Sequence, residues 1–165
     1  NSTLLANCEF FVLRISKLTD YGTVLLAYLA ANQSTIYSAA EIAEATKISI
    51  PTASKLLKLL AKSGLVISCR GIYGGYQLSK DPSKITATNI IDALEGPISI
   101  TECSGDSCAC EYENTCNVSI SWQQINILIR DVLDGVSLKD LLETKGPSPH
   151  FYKNRSQIIV ENILK

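Results

Sequence analysis

The chain has no methionine, a single histidine (His150), a single tryptophan (Trp122) and only 7% aromatic residues. One histidine leaves little room for acid–base chemistry, and no paired acid/base residues, phosphate-cradling glycine loop or nucleophile elbow stands in for it, so an enzyme is not expected. No window approaches the ~18 consecutive apolar residues that a membrane helix needs, and no membrane partner is expected. The apolar stretch 3–13 is interrupted by Asn7, Cys8 and Glu9 and lacks a charged leader and a small-residue cleavage site, which argues against a secretory signal. Without such a signal, the six cysteines point to reduced thiols in the cytoplasm rather than to a disulfide framework. Asn1 is not expected to be an unprocessed native start, and residues 1–12 are read as a leader or an appended segment.

What is present describes an ordinary globular chain. Its 165 residues, 46% apolar and 19% charged, suffice to bury a core and carry an appendage. The net charge of −1 argues at first against nucleic acid, but its distribution reverses the argument. Residues 14–80 carry eight basic and three acidic side chains, a balance of +5, whereas residues 81–165 carry seven basic and twelve acidic, a balance of −5. A basic half that meets phosphate and an acidic half with another task fit this asymmetry, although idle solvated charge would look the same until a fold motif is added.

Hydrophobic periodicity supplies that motif. Leu18, Tyr21, Val24, Leu25, Tyr28 and Leu29 recur at helical spacing from Lys17 to Ala31. Ser38-Ala39-Ala40-Glu41 is a capping-box pattern that opens a short helix through about Thr46. After the break 47–50, Pro51 suits a first helical turn, and a second helix runs to about Ser63 with Gly64 placed to stop it. Leu56, Leu57, Leu59 and Leu60 form its buried side, and Thr52, Lys55, Lys58 and Lys62 fall mainly elsewhere. Two strand-like runs, 65–70 and 76–78, flank a glycine-rich turn that includes Tyr73. A helix pair followed by a basic hairpin is the pattern of a winged helix-turn-helix. The fold class expected is therefore mainly α, with a small β-hairpin wing.

Thr52, Ser54 and Lys55, at the start of the second helix of the pair, are the candidates for reading base edges of double-stranded DNA in the major groove. Lys58, Lys62 and Lys17 are candidates for phosphate, which sets affinity and register without specifying sequence. Tyr73 is placed to touch the backbone. Taken singly, each lysine is more commonly explained as a solvated face, their clustering on one helix before a wing being what points to DNA, and Cys69 reads as a packed strand residue.

Downstream, a helix is expected from about Thr88 to Glu95, stopped by Gly96-Pro97. A longer amphipathic helix runs from Ser119 to Asp134 with Trp122, Ile125, Leu128, Ile129, Val132 and Leu133 as its stripe. That stripe serves either the core of the monomer or a partner helix. Ser137 caps a short helix through Glu143, Gly146-Pro147-Ser148-Pro149 is a linker, and 156–164 is a candidate terminal helix. The organisation expected is a segment 1–12, a DNA-binding domain 13–96, a cysteine loop 97–118, a dimerisation helix and short helix 119–145, and a tail 146–165.

Cys103, Cys108, Cys110 and Cys116 crowd into fourteen residues. Thiolates are the ligands that iron–sulfur clusters require, so nearby cysteines can hold one side of a cluster. Structural zinc is an alternative, but only Cys103 and Cys108 have zinc-like spacing and no second such pair exists. Unmetallated reactive thiols or a regulatory disulfide are a further alternative.

Several stretches resemble the IscR/NsrR family of winged-helix iron–sulfur regulators. Leu13-Arg14-Ile15-Ser16-Lys17-Leu18-Thr19-Asp20-Tyr21 is similar to its opening, Arg70-Gly71…Gly74-Gly75-Tyr76 to its wing, and Leu94-Glu95-Gly96-Pro97…Glu102-Cys103 to the approach to its cluster loop. The resemblance covers about residues 13–144 and is nearest to the branch that regulates the SUF iron–sulfur assembly system. It implies a homodimer that packs long helices, binds a roughly palindromic operator and usually represses, with cluster occupancy or oxidation changing operator affinity. The family's three loop cysteines correspond to Cys103, Cys110 and Cys116, with Cys108 an extra thiol that could replace Cys110. A [2Fe-2S] cluster is favoured, with [4Fe-4S] as the other possibility. Arg70 matches the residue that enters the minor groove. Asp20 matches the acidic residue that, in the nitric-oxide-sensing branch, ligates the cluster from the partner subunit; capping the first helix beside Thr19 is its other reading. Another branch uses a histidine three residues past the last cysteine, where this chain has Ser119, so that ligation is not expected here. His150, beyond the Pro-rich linker, reads as a surface residue. A thiol-redox or nitric-oxide sensor with other targets, and an electron carrier or iron–sulfur enzyme, are the competing functions.

Overall fold

Hydroxyl side chains set where most of the helices begin. The computed structural model describes residues 16–71, 73–101, 104 and 116–143. Helix α1 (Lys17–Ala31) starts at Ser16, whose hydroxyl accepts from the Leu18 amide at 3.1 Å. Capping boxes open α2 (Ala39–Thr46) at Ser38/Glu41, α4 (Ala87–Leu94) at Thr86/Asn89 and α6 (Leu138–Leu142) at Ser137/Asp140. Each satisfies amides that a helix would otherwise leave unpaired. The remaining elements are α3 (Ile50–Lys62), strands β1 (Val66–Cys69) and β2 (Gly75–Leu78), a 3-10 turn (Pro82–Lys84) and α5 (Ser119–Asp134).

The core forms where α1, α2 and α3 meet. Leu25, Leu26, Leu29, Ile42, Leu56, Leu57 and Leu60 are fully buried there, joined by Ile85, Ile90 and Leu138 from downstream. Burial of each such side chain is worth roughly 1.5–3 kcal/mol. The hairpin is antiparallel, with Val66 opposite Leu78 and Cys69 opposite Gly75. Its edge is extended by Tyr37, whose amide donates to the Tyr76 carbonyl at 3.1 Å and whose carbonyl accepts from the Tyr76 amide at 2.8 Å. Gly75 permits this approach, since a Cβ there would lie 2.4 Å from the Tyr37 carbonyl oxygen. Tyr37 also meets Tyr28 edge to face, ring centres 5.1 Å apart. The mainly helical winged helix-turn-helix expected from the sequence is thus the fold.

After α5 the chain returns to the start of α4. Ala87 donates to Val136 O at 2.8 Å and Leu138 donates to Ile85 O at 2.7 Å, forming a bridge between Thr86 and Ser137.

Two apolar stripes differ from simple expectation. In α1 the buried face is Thr19, Gly22, Leu25, Leu26, Leu29 and Ala30, so Leu18, Tyr21 and Val24 are exposed at 37–41%. Gly22 lies on the buried face because it presents no side chain and Leu94 of α4 occupies the space, 2.3 Å from where a Cβ would stand. In α5 the buried residues are Ser119 and Asn126, and the expected stripe is only partly covered, with Trp122, Ile125 and Val132 about 40% exposed. Helix α4 also begins earlier than expected, because Thr86 rather than a later residue supplies the cap. The candidate helix 156–164 lies outside the described residues. Among the described residues, no helix is long and apolar enough to cross a membrane.

Candidate functional site

The α2–α3 turn is compact because Lys47 takes a left-handed conformation (φ 58°) and the Ile48 amide donates to Ala43 O at 3.1 Å. At the start of α3, Ser49 makes no side-chain cap; its hydroxyl donates to Thr52 Oγ1 at 2.8 Å instead. Ala53, Leu56, Leu57 and Leu60 anchor α3 to the core, which leaves Lys55, Lys58 and Lys62 exposed and Thr52 and Ser54 half-buried. No acidic residue occupies the first turn of α3, so its helix dipole and lysines together favour an anion. In the wing, Gly71 (φ 123°) turns the chain and the Gly74 amide donates to its carbonyl at 2.9 Å. Arg70 is exposed and Tyr73 is 93% exposed. Lys17 is exposed in the first turn of α1.

Asp20 is also exposed in that turn, and its amide donates to Ser16 O at 3.2 Å. Ser16, not Asp20 or Thr19, is the cap, which removes the capping explanation for Asp20. Asp20 lines a cleft with Tyr21, Val24, the turn 47–49 and Thr52, so the candidate ligand and a candidate base-reading residue share one depression. Cys116 is half-buried at the head of α5, where its carbonyl accepts from the Ser119 amide (3.4 Å) and hydroxyl (3.2 Å). Cys103, Cys108 and Cys110 lie outside the described residues, as does His150. Among the described residues no group of three or more His, Cys, Asp or Glu side chains is positioned to hold a metal ion. Cys69 is half-buried in β1.

Three contacts that sequence reasoning missed frame the cysteine loop. Glu95, at the end of α4, accepts from the hydroxyl of buried Thr19. Burial pushes its carboxyl up, but hydrogen bonds from Thr19 and Ser16 outweigh that and hold it below its ordinary value. Asp92 pairs with Arg130 of α5 at 2.9 Å and also accepts from the Ile98 amide at 3.3 Å. Asn126 of α5 donates to Ile98 O at 3.2 Å and to Ser104 O at 3.1 Å. An asparagine beside the apolar stripe of an amphipathic helix was the available signal for the last. Between α4 and α5 lies an apolar groove of about 570 Å³, lined by Ile91, Pro97, Ile98, Ile125, Leu128 and Val132 among others.

The sequence profile of the Rrf2 family, described as iron-dependent transcriptional regulators, matches residues 15–144. The transcriptional regulator CymR of Bacillus subtilis (strain 168) is 35% identical over 130 residues, covering 78% of this chain and 89% of that protein. The transcriptional regulator IscR of Aliivibrio salmonicida (strain LFI1238) is 32% identical over 130 residues, 76% of this chain and 77% of that protein. Among solved structures, CymR of B. subtilis, described as its global cysteine regulator, superposes with a TM-score of 0.62 at 36% identity, covering 79% of this chain and 97% of that one. T. potens IscR superposes with a TM-score of 0.59 at 28% identity, covering 84% and 96%.

Proposed function

From the premise that this chain belongs to the Rrf2 family of transcriptional regulators, we propose that it represses iron–sulfur assembly genes in the cytoplasm, as a homodimer whose operator affinity follows the state of a cluster held by its cysteine loop. That it is a DNA-binding transcription regulator and not an enzyme follows from the family itself. The observation that carries the finer reading is the placement of Cys116. It stands three residues before α5, a helix whose apolar side is only partly covered within the protomer, and its carbonyl is bonded to the first residue of that helix. A thiol ligand and a candidate dimer contact thus adjoin.

The donor set fits an iron–sulfur cluster better than zinc, because soft thiolates lie close in sequence without the two close pairs zinc prefers. Cys103, Cys110 and Cys116 would hold it, Cys108 being the alternative to Cys110, with Asp20 of the partner subunit as the remaining ligand. When bound, the cluster supplies a redox-sensitive charged centre, [2Fe-2S] being favoured over [4Fe-4S]. The chain's own residues do the rest. In this reading residues 13–96 bind DNA, 97–118 sense and 119–145 dimerise. Thr52, Ser54 and Lys55 read base edges, Lys17, Lys58 and Lys62 neutralise phosphate, Arg70 enters the minor groove and Tyr73 touches the backbone. Asp20 shares a cleft with the α2–α3 turn and Thr52, so drawing it toward a ligand shifts the base of the recognition helix.

A second reading, a thiol-redox regulator with other targets, is favoured by the similarity to the global cysteine regulator of B. subtilis and by the extra thiol of Cys108. One measurement separates the two: visible absorption with iron and sulfide assay on anaerobically purified protein, beside a variant with Cys103, Cys110 and Cys116 all changed to Ala. Iron, sulfide and a brown chromophore lost in the variant support the cluster. A colourless protein after anaerobic reconstitution leaves the thiol reading.

A further inference from the structure

Ile50 is the first residue of α3, and its exposure is 56%. Among the described large apolar side chains of residues 16–96, only Tyr73 in the wing is more exposed. Neither packing nor helix propensity accounts for an isoleucine there. Ala53, Leu56, Leu57 and Leu60 hold α3 on the core without it, and a β-branched residue is a modest helix former. Single exposed apolar residues are common on protein surfaces, so exposure alone says little. The surroundings are what distinguish this one. Ser49 before it and Thr52 after it are joined through their hydroxyls at 2.8 Å, and Lys47 and Lys55 are exposed further along the chain on either side. Ile50 also lines a depression between α2 and α3 with Ala40, Ala43 and Ile48, Glu44 and Lys47 being its charged members. A methyl-bearing patch thus interrupts the polar first turn of α3.

A recognition helix offers its N-terminal residues to base edges in the major groove. Every group those edges display there is a hydrogen-bond donor or acceptor except one, the C5-methyl of thymine. We infer that Ile50 is a specificity-determining residue that packs on a thymine methyl in each half of the operator. Isoleucine also discriminates by what it lacks. It has no donor or acceptor, so a base whose amino group or oxygen is pressed against it gives up water and gains no partner. The inference deepens the reading of α3 as the base-reading helix and rests on it.

The test begins with selection of duplexes from a randomised pool by the full chain. Each thymine of the selected operator is then replaced singly by deoxyuridine, which removes the methyl and keeps the base pairing. Wild type and Ile50→Ala are titrated against every duplex and against a scrambled one. At one thymine in each half-site the wild type should lose about fourfold in affinity, the worth of one buried methyl. At that position Ile50→Ala should bind the thymine and deoxyuridine duplexes alike. Its ratio of operator to scrambled affinity should fall by about fourfold for each half-site. Ile50→Val, which is shorter by one methyl, should give a smaller loss of the same kind and serves if the alanine variant does not fold. A deoxyuridine scan without effect on the wild type overturns the inference. So does a scan whose sensitive positions are all retained in Ile50→Ala. The two levels of failure are distinct: binding of duplex DNA with no preferred sequence removes base reading by α3 and the inference with it, whereas a preferred operator with a flat scan removes only the contact of Ile50.

Discussion

Gly75→Ala is a severe change for a single methyl group. The new Cβ would lie 2.4 Å from the Tyr37 carbonyl oxygen and 2.6 Å from its carbon. Both are backbone atoms, so no side chain can rotate aside, and Tyr37 must retreat from β2. The retreat costs the two hydrogen bonds between Tyr37 and Tyr76, each worth about 0.5–1.5 kcal/mol net. It also disturbs the Tyr28–Tyr37 ring contact, worth roughly 0.5–1.5 kcal/mol. Against this, alanine restricts the unfolded chain and returns about 0.4–1 kcal/mol. The net expectation is a loss of about 2 kcal/mol, or roughly 4–8 °C in Tm for a chain of this size. Thermal and urea melts give the stability directly, and titration of an operator duplex reports the displaced wing through Arg70, with an expected fall in affinity of about tenfold. A Gly75→Ala variant as stable as wild type, or more so, would show that Tyr37 yields without losing its pairing and would sink the steric argument.

If Lys17, Lys58 and Lys62 meet phosphate in each half of a dimer, log affinity against log salt should have a slope near −5, and affinity should fall about 10³-fold between 50 and 200 mM salt. Lys58→Ala should flatten that slope by about 2, as read from binding isotherms at several salt concentrations; an unchanged slope would place Lys58 off the DNA. Glu95, held below its ordinary pKa of 4.5, contributes stability that is fully present above that value and is lost as pH falls through the lower folded value. Glu95→Gln should therefore be less stable than wild type at neutral pH and converge with it in acid, and denaturant melts showing a constant gap across that range would refute the assignment. The Asp92–Arg130 pair, whose side chains are 31% and 33% exposed, should show a coupling below about 1 kcal/mol in a double-mutant cycle of melts. A larger value would mean that the Ile98 amide bond to Asp92 depends on the arginine.

Local chemistry was legible in the sequence. Ser38 and Ser137 announced their helices because a capping hydroxyl and its reciprocal acid sit three residues apart, and α5 was read from Ser119 to Asp134 by period alone. What periodicity could not decide was which neighbour an apolar residue meets. Leu18, Tyr21 and Val24 repeat as a core stripe would, but Leu94 packs on the neighbouring face, against the bare backbone of Gly22. Contacts between distant residues were likewise invisible: Thr19 with Glu95, and Tyr37 with Tyr76, have no local signature. For the site, α3, the wing and the crowding of four cysteines followed from pattern, whereas Asp20, Arg70 in the minor groove and the choice of Cys103, Cys110 and Cys116 as ligands came through resemblance. Of the four loop cysteines, only Cys116 lies among the described residues.

The return of the chain to the start of α4 has a mechanical side. Helix α5 spans 16 residues, about 24 Å at 1.5 Å per residue. Its far end is tied down by the bonds that join Val136 and Leu138 to Ala87 and Ile85, while its near end carries Cys116. Between its ends the helix is also pinned, at Arg130 to Asp92 and at Asn126 to Ile98 O, so it tilts only together with α4 and the segment that follows it. For a rod of this length a tilt of roughly 5° moves one end by about 2 Å relative to the other, at a helix rise of 1.5 Å per residue. In the cluster reading, a change in how Cys116 is held would therefore be felt by α4 as well as by whatever lies along the open side of α5.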